Sequence, residues 1–256
     1  MRIVKGIKRM IFLVEKKERR EMYSLYIPKY KGEVASRSIL PKELGHFMNC
    51  TGYSYDLLVS PGYLSRTSGT IDKFLTEMEK ELAAAGKRKV GVGLFHGMNG
   101  HNLITMGGTN ILRAHGIALT RSACLEEIAV DPKRLDDHRK MIFFFKRNDW
   151  DVTSTLDSGS MAAFLAKIVV EAVLIGSSNF SWSTYYDAGG RTPEKGEADL
   201  LMFVDESYKR AIQEMIENSQ DSEESPMVLS KSIAGGERPE DFFKEILKNF
   251  LEYSLN

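Results

Sequence analysis

Residues 139–145, RKMIFFF, and residues 167–175, KIVVEAVLI, are the two strongest β-type runs of the chain. Both are built from aromatic, β-branched and other large apolar residues that suit a pleated, buried surface. A polar stretch, 146–160, rich in Asp, Ser and Thr, separates them. Working outward, 55–61 (YDLLVSP) is a compact apolar run ending at a turn signal, which predicts a buried strand. Residues 70–85 carry Ile71, Phe74, Leu75, Met78 and Leu82 at helical spacing and close at Gly86. A strand is expected at 89–95 (KVGVGLF), a helix at 103–115 ending at Gly116, and a short strand at 117–121. This rhythm predicts an α/β domain with helices packed on a sheet.

Downstream, 200–204 (LLMFV) predicts another buried strand, and 207–217 an amphipathic helix with Ala211, Ile212, Met215 and Ile216 inward. Residues 218–225 (NSQDSEES) are acidic and polar, as a surface linker is. Residues 239–255 place Phe242, Phe243, Ile246, Leu247, Phe250 and Leu251 on one helical face, which is expected to cap its own domain rather than dock to a partner. Before the core, 22–40 alternates in short pieces and predicts a peripheral strand or two. There is no internal repeat.

The 256 residues are 43% hydrophobic and 27% charged, enough to bury a core of normal size. Lys plus Arg, 35, equals Asp plus Glu, 35, so any nucleic-acid binding must rest on local basic patches. Such patches are residues 5–20, the run 87–89, and Arg121, Lys133 and Arg134. The two cysteines, Cys50 and Cys124, have no metal-ligand spacing and do not make a disulfide scaffold, which points to a reducing compartment. The apolar run 10–14 is too short for a signal segment and is followed at once by charge. No stretch approaches the length of a membrane span, so the chain is expected to be cytoplasmic, without a membrane partner.

Two short motifs carry the chemistry. In Asp137-His138-Arg139-Lys140, His138 and Lys140 stand two apart on a strand and project to one face. Lys140 can neutralise a nonbridging phosphate oxygen while His138 attacks phosphorus or donates a proton. Taken alone, the pair reads first as a surface strand with two solvated side chains. The second motif, Gly176-Ser177-Ser178-Asn179, follows the 167–175 strand directly. Its glycine permits a tight turn, and its hydroxyl and amide groups are short donors suited to phosphate oxygens.

Together, HxK on one strand and GSxN at the end of the next resemble the HxK(x)nGSxN signature of the phospholipase D superfamily. The GSSNFS wording is similar to the branch holding bacterial nucleases and metal-independent restriction endonucleases. The resemblance spans residues 55–217 and implies a mixed β-sheet flanked by helices on both faces. It divides the chain into an N-terminal extension packed on the core (1–54), a catalytic domain (55–217), and an acidic linker with a C-terminal amphipathic helix (218–256). It implies a phosphodiesterase that needs no metal and no other cofactor. His138 would form a covalent phosphohistidine, Lys140, Ser177 and Asn179 would hold the phosphate oxygens, and Glu197 would orient the imidazole. Ser178 would contact the substrate, and the aromatic residues after the turn, Trp182 and Tyr185, read equally as a stacking platform for a base or as packing on the sheet edge.

The family's mechanism uses two histidines, and this chain holds one copy of the motif. His46, His96, His101 and His115 lack a Lys two residues later. A homodimer whose two-fold axis brings both His138 side chains together is therefore expected. Phe145 stands where the family's longer motif has Asp, a departure that weakens a lipid hydrolase more than a nuclease. The expected substrate is DNA, or RNA, in a defence or repair setting with a helicase or other ATPase as partner. The alternatives are a phospholipase D-type lipid hydrolase and a catalytically silent scaffold subunit. The 146–166 insert is long for a hairpin connection and is read as a loop over the site, an interface element, or an idle insertion.

Overall fold

The computed structural model describes residues 21–29, 40–52, 55–61, 90–95, 125–134, 138–177, 197–218, 228–233 and 238–256. Eight strands, β1 (Glu21–Lys29), β2 (Asp56–Pro61), β3 (Val90–Leu94), β4 (Leu125–Glu127), β5 (Lys140–Arg147), β6 (Ile168–Gly176), β7 (Glu197–Phe203) and β8 (Val228–Ile233), form one sheet. Their order is β4-β3-β2-β5-β6-β7-β1-β8. The β2–β3 and β3–β4 pairs are parallel, and every other pair is antiparallel, so the α/β fold is built on a mixed sheet.

The unbroken apolar character of β5 follows from cover on both faces. Ile142 and Phe144 join one buried cluster, Met141, Phe143 and Phe145 the other. Helices α1 (Leu40–Cys50) and α3 (Glu206–Asn218) cover the first face with Leu44, Phe47, Met48, Tyr208 and Ile212. Phe47 stacks on Tyr55 at 5.5 Å between ring centroids and meets Phe144 edge-on at 5.0 Å. On the second face lie α2 (Met161–Ala166) and α4 (Pro239–Leu255). There Phe243, Leu247, Phe250, Leu251 and Leu255 bury against Phe143, Phe145, Val170 and Val173. The expected C-terminal helix thus caps its own sheet. Pro at its first turn and Glu240 and Asp241 beside it suit a helix N-terminus.

The β5–β6 register slips at one point, where Phe144 faces Ala172 but Phe145 faces Val170. Glu171 is the extra residue of this bulge. It accepts a hydrogen bond from Tyr55 at 2.7 Å and pairs with Lys146 at 2.8 Å.

Three expectations change. The strand expected to be peripheral, β1, lies inside the sheet between β7 and β8. β8 itself arises between the acidic stretch and the last helix. The 146–166 insert is rooted where Arg147 faces Ile168, at the end of the sheet away from Lys140. Its Trp150, Leu156, Phe164 and Leu165 fill the α4 face, so it is a piece of core rather than a loop over the site. The helices expected at 70–85 and 103–115, the strand at 117–121 and the linker at 218–225 fall on residues outside those described, save Asn218, which ends α3. Among the described residues, no helix is long and apolar enough to cross a membrane.

Candidate functional site

The ladder pairings collect the chemistry at one end of the sheet. Lys140, the first residue of β5, faces Pro61 at the end of β2 on one side and Gly176 at the end of β6 on the other. Gly176 in turn faces Asp199 of β7, and Asp199 faces Ile27 of β1. Lys140 of the first motif and Gly176 of the second therefore meet on neighbouring strands. This is also the end at which the parallel strands β2 and β3 finish, the end where open α/β sheets bind ligands.

Alternation along β5 sends Lys140 to the face shared by Ile142 and Phe144. His138, two residues before the start of the strand, is exposed, and Lys140 is half-buried. Among the described residues, neither side chain has an ion-pair or hydrogen-bond partner. Both remain available to an anion.

Gly176 has a role that the motif alone does not reveal. A Cβ built on it would lie 1.6 Å from Oδ1 of Asp199. The glycine is required by this close approach, rather than by the tight turn expected of it. Asp199 is a buried carboxylate, only 5% exposed, that leans over the row shared with Lys140. Sequence reasoning passed over it in favour of Glu197. The signal was present, since a charged residue opening the apolar run LLMF must be buried for a reason.

Ser177 is exposed, and its hydroxyl is engaged with β7. It accepts from the Ala198 amide at 3.0 Å and donates to the Ala198 carbonyl at 3.3 Å, and its own amide reaches the same carbonyl at 3.0 Å. These bonds tie the start of the GSxN turn to the residue after Glu197. Glu197 opens β7 opposite Lys29. Ser178, Asn179, Trp182 and Tyr185 lie outside the described residues, as do His96, His101 and His115 and the basic residues at 5–20, 87–89 and 121.

Two basic residues near the motif are committed elsewhere. Lys133 pairs with Asp131 at 2.5 Å, and the Arg134 guanidinium sits 5.2 Å from the centre of the Tyr253 ring. His46 packs within the α1–α3 contact, edge-on to Tyr208 at 6.1 Å. Among the described residues, no three His, Cys, Asp or Glu side chains are grouped to hold a metal ion. The chain matches no known family model and no curated protein.

Proposed function

We propose that the chain is a metal-independent phosphodiesterase of the phospholipase D type, acting on DNA or RNA as a homodimer. The observation that carries this reading is the register: Lys140 stands opposite Gly176, so HxK and the start of GSxN share one end of two paired strands. A phosphate seated there would meet a cation from β5 and the turn after β6 together, which is the positioning that phosphoryl transfer demands.

In the proposed reaction, a ring nitrogen of His138 attacks phosphorus. The P–N bond forms as the P–O bond to the leaving group breaks, and the departing electron pair takes a proton from His138 of the second chain. Water then attacks phosphorus and gives its proton to that same second imidazole as the P–N bond breaks. Lys140 neutralises the nonbridging oxygens and the Asn179 amide donates hydrogen bonds to them. Ser177, through its bonds to Ala198, holds the turn beside β7, and a carboxylate at the start of β7 orients the imidazole. The nuclease branch is favoured over lipid hydrolysis by the GSSNFS wording and by Phe145, which lies fully buried in the core.

The test is incubation of the purified protein with single- and double-stranded DNA, RNA and bis(p-nitrophenyl) phosphate in EDTA. Hydrolysis in EDTA is expected, with a phosphorylated histidine trapped on acid-free quenching. Strict dependence on Mg²⁺ would overturn the reading.

A further inference from the structure

The residue between His138 and Lys140 is held by a neighbouring strand, β2, and by the helix that covers the sheet, α4. Its carbonyl accepts a hydrogen bond from the buried hydroxyl of Ser60, the penultimate residue of β2, at 2.7 Å. Its side chain turns to the opposite face from Lys140, towards the last turn of α4. There the Arg139 guanidinium donates to the Phe250 carbonyl at 3.2 Å and to the Ser254 hydroxyl at 2.9 Å. It also sits 4.4 Å from the centre of the Phe250 ring and 4.5 Å from that of Tyr253. Ser254 is 1% exposed, and its carbonyl accepts from the amides of Lys133 and Arg134 at 2.8 and 3.2 Å. The chain leading into β5 thereby caps the C-terminus of α4, whose unpaired carbonyls attract donors and cations.

We infer that Arg139 is a positioning residue for His138 and Lys140, and that the last turn of α4 is the anchor it acts through; this rests on the proposed phosphodiesterase reading. A planar guanidinium with two acceptors and two ring faces has one orientation. The peptide on either side of it is then fixed: alternation sends Lys140, the first residue of β5, to the other face, and His138 is set by the same anchored backbone. The feature explains why the final residues of the chain, far from the motif in sequence, belong to the apparatus.

The test compares wild type, His138→Ala, Arg139→Met, Arg139→Lys and a surface control, Lys248→Ala. It reads kcat and KM on bis(p-nitrophenyl) phosphate together with amide hydrogen exchange. For Arg139→Met, kcat is expected to fall ~10- to 100-fold with KM within about twofold, the signature of a misplaced group rather than lost binding. Arg139→Lys should recover part of the rate, and Lys248→Ala all of it. Exchange across 139–141 should accelerate about tenfold or more in Arg139→Met while the centres of β2 and β6 keep their protection. Wild-type kinetics in Arg139→Met beside a dead His138→Ala would overturn the positioning role and leave the phosphodiesterase reading standing. A wild type without hydrolytic activity would defeat that reading instead, and unchanged exchange at 139–141 would then refute the anchor on its own. Loss of protection throughout the sheet would also overturn it, because Arg139 would then be supporting the whole fold.

Discussion

Where β2 begins and β5 finishes, Arg147 pairs with fully buried Asp56 and donates to Glu126 at 2.8 Å. Asp56 also accepts the Gly91 amide at 2.8 Å, so this one carboxylate joins three strands. Beside it, Tyr55, Glu171 and Lys146 form a second group, and Tyr23 donates towards Glu206 and Glu21. At the other end of the same strands, His138 and Lys140 have no such partners among the described residues. One end spends its charges on holding strands together, and the other leaves His138 and Lys140 open beside an anchored Arg139. Identical residue types thus divide between paired and open positions by the partners that register gives them.

Substitution at each end should separate the two roles. The largest effect is expected from His138→Ala, with phosphodiester hydrolysis falling ~10³-fold or more while the thermal midpoint stays near wild type, since an exposed side chain contributes little to stability. A parallel loss of midpoint would break the contrast. Asp56→Ala should do the reverse, destabilising by about 3–5 kcal/mol in urea unfolding because Arg147 loses its buried partner, with kcat per folded molecule retained. Gly176→Ala comes next, at roughly 1–3 kcal/mol, because its methyl group displaces the Asp199 carboxylate. Adding Asp199→Ala to it should return part of that stability, and an additive loss would show that the clash is not the cause.

The smallest effect is one of pH. Burial raises the Tyr55 and Tyr23 phenols above the usual 10.0, helped by Glu171 beside the first and Glu206 and Glu21 beside the second. The unfolded chain therefore loses these protons first. Their contribution is complete below about pH 10 and declines above it by ~1.4 kcal/mol per pH unit for each phenol. Unfolding curves between pH about 9 and about 11 should show this slope in wild type and a shallower one in Tyr55→Phe.

Much of this arrangement was legible before any coordinates. The apolar runs of β2, β3 and β5 declared themselves because both their faces are covered, those of β6 and β7 by their β-type residues although Ile175 and Leu200 stand exposed, and α3 and α4 by their one-sided spacing. What escaped were elements whose composition is decided by their surroundings. β4 is three residues, Leu125–Glu127, at the edge of the sheet. β8 reads VLSKSI, with the polar alternation and lysine typical of an edge strand. α1 opens with Leu40-Pro41 after a strand-like stretch, and its Phe47 becomes core only once Tyr55 and Phe144 are brought to it. At the site, the spacing of His138 and Lys140 led to the expectation of one strand and one face, but the strand begins only at Lys140. That Lys140 meets Gly176, that Asp199 fills the space above it and that Arg139 is gripped by α4 depend on strand order and register, which residue spacing does not encode.

The place of β1 has a consequence for how the chain is made. Tyr23 pairs with Phe203, and Glu21 with Ile233, so among the described strands β1 finds both neighbours about 180 to 210 residues later in the chain. At ordinary translation rates of ~5–20 residues per second, that strand waits roughly 10–40 s with two unpaired edges. Its partners must then be captured across a long loop, a slow step in any fold rich in distant pairings. Synthesis in the cell therefore exposes this segment to chaperones and to neighbouring nascent chains for longer than any other strand of the sheet.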